Sequence, residues 1–113
     1  MTNSKRGECL ITLAGNEYNT KLNLDGIMRI EQSCQKSFMR IAQDLSEAEF
    51  QTQHILFILQ TAIRGGGHDI KDKAMKNLIW EAGITEAIQA VGSILTNCLL
   101  SSEDQEGNEE AVA

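Results

Sequence analysis

The spacing of apolar residues changes once along this chain, near Asp25, from every second residue to the three-and-four spacing of a helix. Before the change, Cys9, Ile11 and Leu13 alternate with Glu8, Leu10 and Thr12. After Gly15-Asn16, Tyr18, Thr20 and Leu22 alternate with Asn19, Lys21 and Asn23. Two alternating runs joined by a Gly-Asn pair predict a β-hairpin, because those residues accept the positive φ angles of a tight primed turn. A lone hairpin is marginal in water, so it must lean on helices, on a third strand or on another copy.

Five helices are predicted after the change. Asp25 can cap the first, which carries Ile27, Met28 and Ile30 inward and fades near Cys34. Ser37 can start a second, with Phe38, Ile41, Ala42 and Leu45 inward. Ser46-Glu47-Ala48-Glu49 has capping-box spacing, so a third is expected to start there. Its Ile55, Leu56, Ile58, Leu59, Ala62 and Ile63 leave little polar circumference, as in a helix central to a core or an oligomer. Gly65-Gly66-Gly67 is expected to end it through left-handed backbone angles. A fourth is expected from about Asp69 to Ala82, with Ile70, Ala74, Met75, Leu78 and Ile79 on one stripe and Gly83 as its stop. The fifth, from about Thr85 to Leu100, holds Ile84, Ala87, Ile88, Val91, Ile94, Leu95, Cys98 and Leu99 at the most regular helical spacing in the chain. The absence of proline suits this reading. The fold class expected is α+β, mostly α: an N-terminal two-stranded β-hairpin followed by a bundle of four to five short helices.

The length, 113 residues, suits one domain. The expected division is a flexible N-terminus at 1–6, a single globular domain at 7–100 and a disordered acidic tail at 101–113. Glu103, Asp104, Glu106, Glu109 and Glu110 place five acids and no base in the last eleven residues of a chain with net charge −6. Without them eleven acids face ten bases, so the body is nearly neutral. That balance argues against nucleic acid as the main partner, since duplex binding begins with a basic surface. No run of eighteen apolar residues and no signal-peptide run before Glu8 occurs, so a place in the cytosol and no membrane partner are expected.

Reactive groups are few. His54 and His68 are the two histidines, and neither has a carboxylate or cysteine at ligand spacing. Cys9, Cys34 and Cys98 are odd in number and read as small buried hydrophobes. The Arg64-Gly65-Gly66-Gly67-His68 run follows a helix rather than a strand, unlike a phosphate-binding loop. The pairs Glu47 with Glu49 and Asp69 with Asp72 are explained by helix starts, where acids offset the macrodipole. Trp80 reads as a core filler. Helices three and four could form a helix-turn-helix carrying Lys71, Lys73 and Lys76, but Asp69 and Asp72 partly cancel that charge. No catalytic, cofactor-binding or metal-ligating residue is assigned.

The order of features resembles a family. Arg6-Gly7-Glu8 opens a strand ending Leu13-Ala14-Gly15, and a second strand ends Leu22-Asn23-Leu24. A central helix closes as Ile58-Leu59-Gln60-Thr61-Ala62-Ile63-Arg64-Gly65-Gly66-Gly67, and Ala82-Gly83-Ile84 precedes a final amphipathic helix. Over about residues 6 to 100 the chain resembles the small tail proteins of gene transfer agents and siphophages, regarded as tail assembly chaperones and sometimes labelled tail tube proteins. The resemblance implies a non-enzymatic chaperone that binds and solubilises the tape measure protein during tail morphogenesis and is absent from the mature particle. Its alternative is a structural component of the tail, tube-associated or connector; a small DNA-binding regulator is a third reading. The partners implied are the tape measure protein, another tail protein, or further copies in a homo-oligomer. Partner contact is expected on whatever helices three and five leave uncovered, with Phe57, Ile63 and Ile94 as candidates. Phe57 leads, because it lies off the Ile55-Leu59-Ala62 stripe and an aromatic anchor is a common hot spot.

Overall fold

The computed structural model describes residues 7–110, with side chains through Leu99. β1 (Glu8–Leu13) and β2 (Asn16–Lys21) pair antiparallel, with Leu13 opposite Asn16 and Glu8 opposite Lys21. That register leaves Ala14-Gly15 as the turn, at φ 52° and 82°, one residue earlier than the expected Gly15-Asn16. The alternation places Ile11, Leu13, Thr20 and Leu22 inside, while Leu10 stands 57% exposed on the other face. The buried Thr20 hydroxyl donates to the Cys9 carbonyl at 2.8 Å. Leu22 donates its N–H to the Gly7 carbonyl at 2.9 Å, which sets the phase of the ladder. Bonded and open positions alternate in an antiparallel pair, so Glu8, Leu10 and Thr12 turn their backbone groups away from β2.

Five helices follow: α1 (Leu24–Cys34), α2 (Phe38–Ser46), α3 (Thr52–Gly65), α4 (Asp72–Ala82) and α5 (Ile84–Glu110). α3 is the hub, packed on β2, α1, α4 and α5, while α5 also lies under β1 and against α2. Ile55, Ile58, Leu59, Ala62 and Ile63 of α3 and Ala87, Val91, Ile94 and Leu95 of α5 are all at or below 2% exposure. These positions recur at three and four residues, so the two strongest helical patterns in the sequence form the centre of the core. Ile88 is half-buried beside them.

The carboxyl end of α3 is pressed onto β2. A Cβ at Gly65 would run into the Lys21 carbonyl oxygen, and one at Gly66 into the Asn19 carbonyl oxygen. These two glycines therefore serve close approach, and only Gly67 of the three takes positive φ, at 106°. The connection to α4 is then tied down. Gln60, 5% exposed, donates to the Ile70 carbonyl at 3.2 Å and to Asp72 Oδ1 at 2.7 Å, and Arg64 Nε donates to the same carbonyl at 3.0 Å.

Several helix boundaries differ from expectation. Asn23, not Asp25, caps α1, its side chain accepting from Gly26 N–H at 2.9 Å. α1 then buries Gly26, Ile30 and Cys34, spaced by four, which swings Met28 outward to 55% exposure. Ser37 caps α2 as expected, accepting from Arg40 N–H at 3.1 Å, and Glu31 Oε2 accepts from Phe38 N–H at 2.9 Å. No helix starts at Ser46. That residue is the last of α2, its hydroxyl turned back onto the Gln43 carbonyl at 2.9 Å, and the chain leaves through left-handed Ala48 at φ 60°. The capping-box spacing thus sits on a helix end, and α3 begins at Thr52. α4 begins at Asp72 rather than Asp69: Asp69 pairs with Lys71 at 2.7 Å, and the carbonyl of buried Ile70 is taken by Gln60 and Arg64. Ala74 is exposed.

Trp80 is no core filler: it is 89% exposed. α4 buries Met75, Leu78 and Ile79, and Trp80 falls one step round the helix from that stripe. α5 continues to Glu110, ten residues past the expected end at Leu100, so helical backbone runs through much of the stretch expected as a disordered tail. Neither glycine nor proline occurs between Leu95 and Gly107 to stop it. The expected flexible N-terminus at 1–6 and residues 111–113 lie outside the described residues.

Candidate interaction surface

The three residues expected to contact a partner do not share a surface. Ile63 and Ile94 are 0% and 1% exposed, deep in the core. Phe57 is half-buried on α3 and lines a groove with Arg29 of α1, Lys21 of β2, and Gln60, Thr61 and Arg64. Phe57 packs partly on the core, and the groove's charged lining is mixed, with Asp25 beside Lys21, Arg29 and Arg64.

Most of the uncovered apolar area lies elsewhere. Leu24 and Met28 stand 70% and 55% exposed, four apart on α1, and Met39 on α2 is 64% exposed. Trp80 and Ile84 flank the Gly83 joint between α4 and α5, with Ile84 at 42% exposure. Leu10 sits on β1, whose outer backbone groups at Glu8 and Thr12 find no backbone partner among the described residues. Between α2 and α5, Ala42, Leu45, Ile88, Leu95 and Leu99 line an open apolar groove floored by Gly92. Side chains spaced by four on one helix face are neighbours, so Leu24 and Met28 make a patch rather than two isolated residues.

Several titratable groups are engaged in structure. Asp44, 7% exposed, accepts from Lys36 Nζ at 2.6 Å and lies 3.3 Å from Arg40 Nε. The Lys36 hydrogen bond holds its carboxyl below the usual aspartate range. His54 lines the same small cleft; burial lowers its pKa, the positive charge of Lys36 lowers it further, and Asp44 opposes both. His68 is exposed, its ring tilted against Tyr18 at 5.8 Å between centroids. Cys34 and Cys98 are buried and Cys9 half-buried. Burial, helped by nearby Cys9, pushes the Cys98 thiol up to about 11, so it stays protonated and behaves as a small hydrophobe. Among the described residues no three His, Cys, Asp or Glu side chains gather as a metal-ligand set, and no helix is long and apolar enough to cross a membrane.

Sequence reasoning missed Trp80, Leu24 and Met39 as surface residues. A weak signal existed for Trp80, since it follows the Met75-Leu78-Ile79 stripe directly and breaks its spacing. Leu24 and Met39 carried none, lying one and two residues past the caps Asn23 and Ser37, where one residue of offset moves a side chain from core to solvent.

The described surface thus offers an open strand edge, exposed apolar side chains and an apolar groove. The chain belongs to the phage tail tube protein family GTA-gp10, whose family model matches residues 6–101. It is a phage tail-related structural protein. No curated protein and no solved structure matches it.

Proposed function

We propose that the protein is a component of a phage or gene transfer agent tail, tube-associated or connector, that joins neighbouring tail proteins through its exposed apolar patches. The observation that carries this reading is the surface just described. The core is already filled by α3 and α5, yet Trp80, Leu24, Met39, Leu10 and Met28 are each more than half exposed. Contiguous exposed apolar area marks contact sites, and Leu24 with Met28, four apart on α1, supplies it. Family membership supports the same reading.

The groove between α2 and α5 favours a second reading, a chaperone that binds the tape measure protein. It is apolar and lies along two helices, the form that accepts an amphipathic helix. The two readings differ in where the protein ends up. A component stays in the particle, whereas a chaperone remains in the host cytoplasm. Quantitative mass spectrometry of purified particles separates them: retention at the level of other tail subunits supports the component, and absence, with co-purification of the tape measure protein from producing cells, supports the chaperone.

A further inference from the structure

The outward face of α4, which leads into the start of α5, and the far end of α5 are chemically opposite. At its start, across the Gly83 joint, α4 presents Lys73, Lys76 and Trp80 on its outward face, spaced by three and four residues. Trp80 is 89% exposed, and neither lysine enters an ion pair among the described residues. Asp72 is turned to Gln60 at 2.7 Å, leaving exposed Glu81 as the acid nearest the tryptophan in sequence. At the far end, residues 103–110 carry five acids and no base.

We propose that the Lys73-Lys76-Trp80 face of α4 docks the acidic C-terminal segment, residues 103–110, of a second copy of this chain. Charge complementarity selects the occupant: a cationic face around an aromatic anchor meets the most acidic stretch of the same sequence. Geometry makes the contact intermolecular. Glu103 lies nineteen residues along α5 from Ile84, a span of about 28 Å at the helical rise. While α5 is helical, a copy's own acidic end cannot reach its own Trp80. The contact is therefore head-to-tail, and a head-to-tail contact repeats into a ring or a filament. This deepens the tail-component reading and rests on it for its setting.

Trp80 is the sole tryptophan, so its fluorescence reports the contact directly. For the full chain at low ionic strength, raising concentration should shift the emission to shorter wavelength in step with assembly measured by sedimentation. Added sodium chloride should reverse both, since exposed charges are screened. K73E/K76E should weaken assembly at least tenfold with an unchanged circular dichroism spectrum and melting temperature. Adding E103K/D104K/E106K to that variant should restore assembly. A chain that stays monomeric throughout, assembly indifferent to K73E/K76E, or failure of the charge swap to restore it would each overturn the proposal. Loss of assembly in L10K with retention in K73E/K76E would assign the contact to the β1 edge instead and overturn it too. Particle mass spectrometry is independent: absence of the chain from particles removes the tail-component reading and leaves an assembly that passes the charge swap standing.

Discussion

Glu86 Oε1 accepts the backbone N–H of Ala14 at 3.0 Å, joining the first turn of α5 to the tip of the hairpin across 72 residues of sequence. Ala14 is in the left-handed region at φ 52°, so this bond holds a turn that alanine adopts at some strain. E86A should lower stability by about 1–3 kcal/mol, the range for a bond to a charged group whose partner is left unmet. E86Q, which keeps an acceptor, should recover most of the loss. Urea melts of the three proteins decide it.

The close approach of α3 to β2 makes a sharper test. G66A drives a methyl group into the Asn19 carbonyl, and G65A drives one into the Lys21 carbonyl. Backbone stands in both places, so the helix end must lift off the strand. Each should cost about 1–3 kcal/mol or more, as overpacking does. G15A meets no neighbour within 4 Å, and its cost should be limited to its positive φ, about 1 kcal/mol.

Leu59 and Leu95 are 0% and 2% exposed at the centre of the core. Replacing either with alanine should cost about 2–5 kcal/mol. W80S should change stability by about 0.5 kcal/mol or less, as surface changes do, although it removes the largest side chain in the protein. Thermal melts of these three variants check the placement of α3, α4 and α5 together.

Stability should fall in two stages on acidification. The folded state lowers the pKa of His54 below its ordinary 6.5, chiefly by burial. The unfolded chain then takes up a proton more readily than the folded one, so stability is lost as pH drops below about 6.5. Asp44 is lowered from 3.8 by the Lys36 hydrogen bond, so its contribution is present above that pH and disappears as pH falls toward the folded value. Melting temperature against pH should lose the first stage in H54Q and the second in D44N.

How much of this was legible follows from particular residues. The hairpin and the burial of Leu59, Val91 and Leu95 could be read because alternation and heptad-like spacing report directly on which face meets a core. Boundaries were less legible, because the capping chemistry that marks a helix start can equally close one. Ser46 has the right neighbours for a start, yet its hydroxyl bonds backward to Gln43. The partner surface was least legible. Apolar residues in excess of one stripe point to Ile63 and Ile94, but α3 is enclosed by β2, α1, α4 and α5, and α5 by β1, α2, α3 and α4, so neither residue is spare. Gly65 and Gly66 read as helix breakers because the strand they press on lies some forty-five residues earlier, beyond any local pattern.

That same pressed contact sets a valence. With the Asn19 and Lys21 carbonyls of β2 facing the end of α3, the two-stranded sheet is blocked on one flank and open on the other, where Glu8, Leu10 and Thr12 point outward. A strand from any neighbouring molecule has one place to join, so the sheet can extend in a single direction and by one partner per molecule. Such a sheet terminates its own growth, and any longer array must recruit a different surface for its second contact.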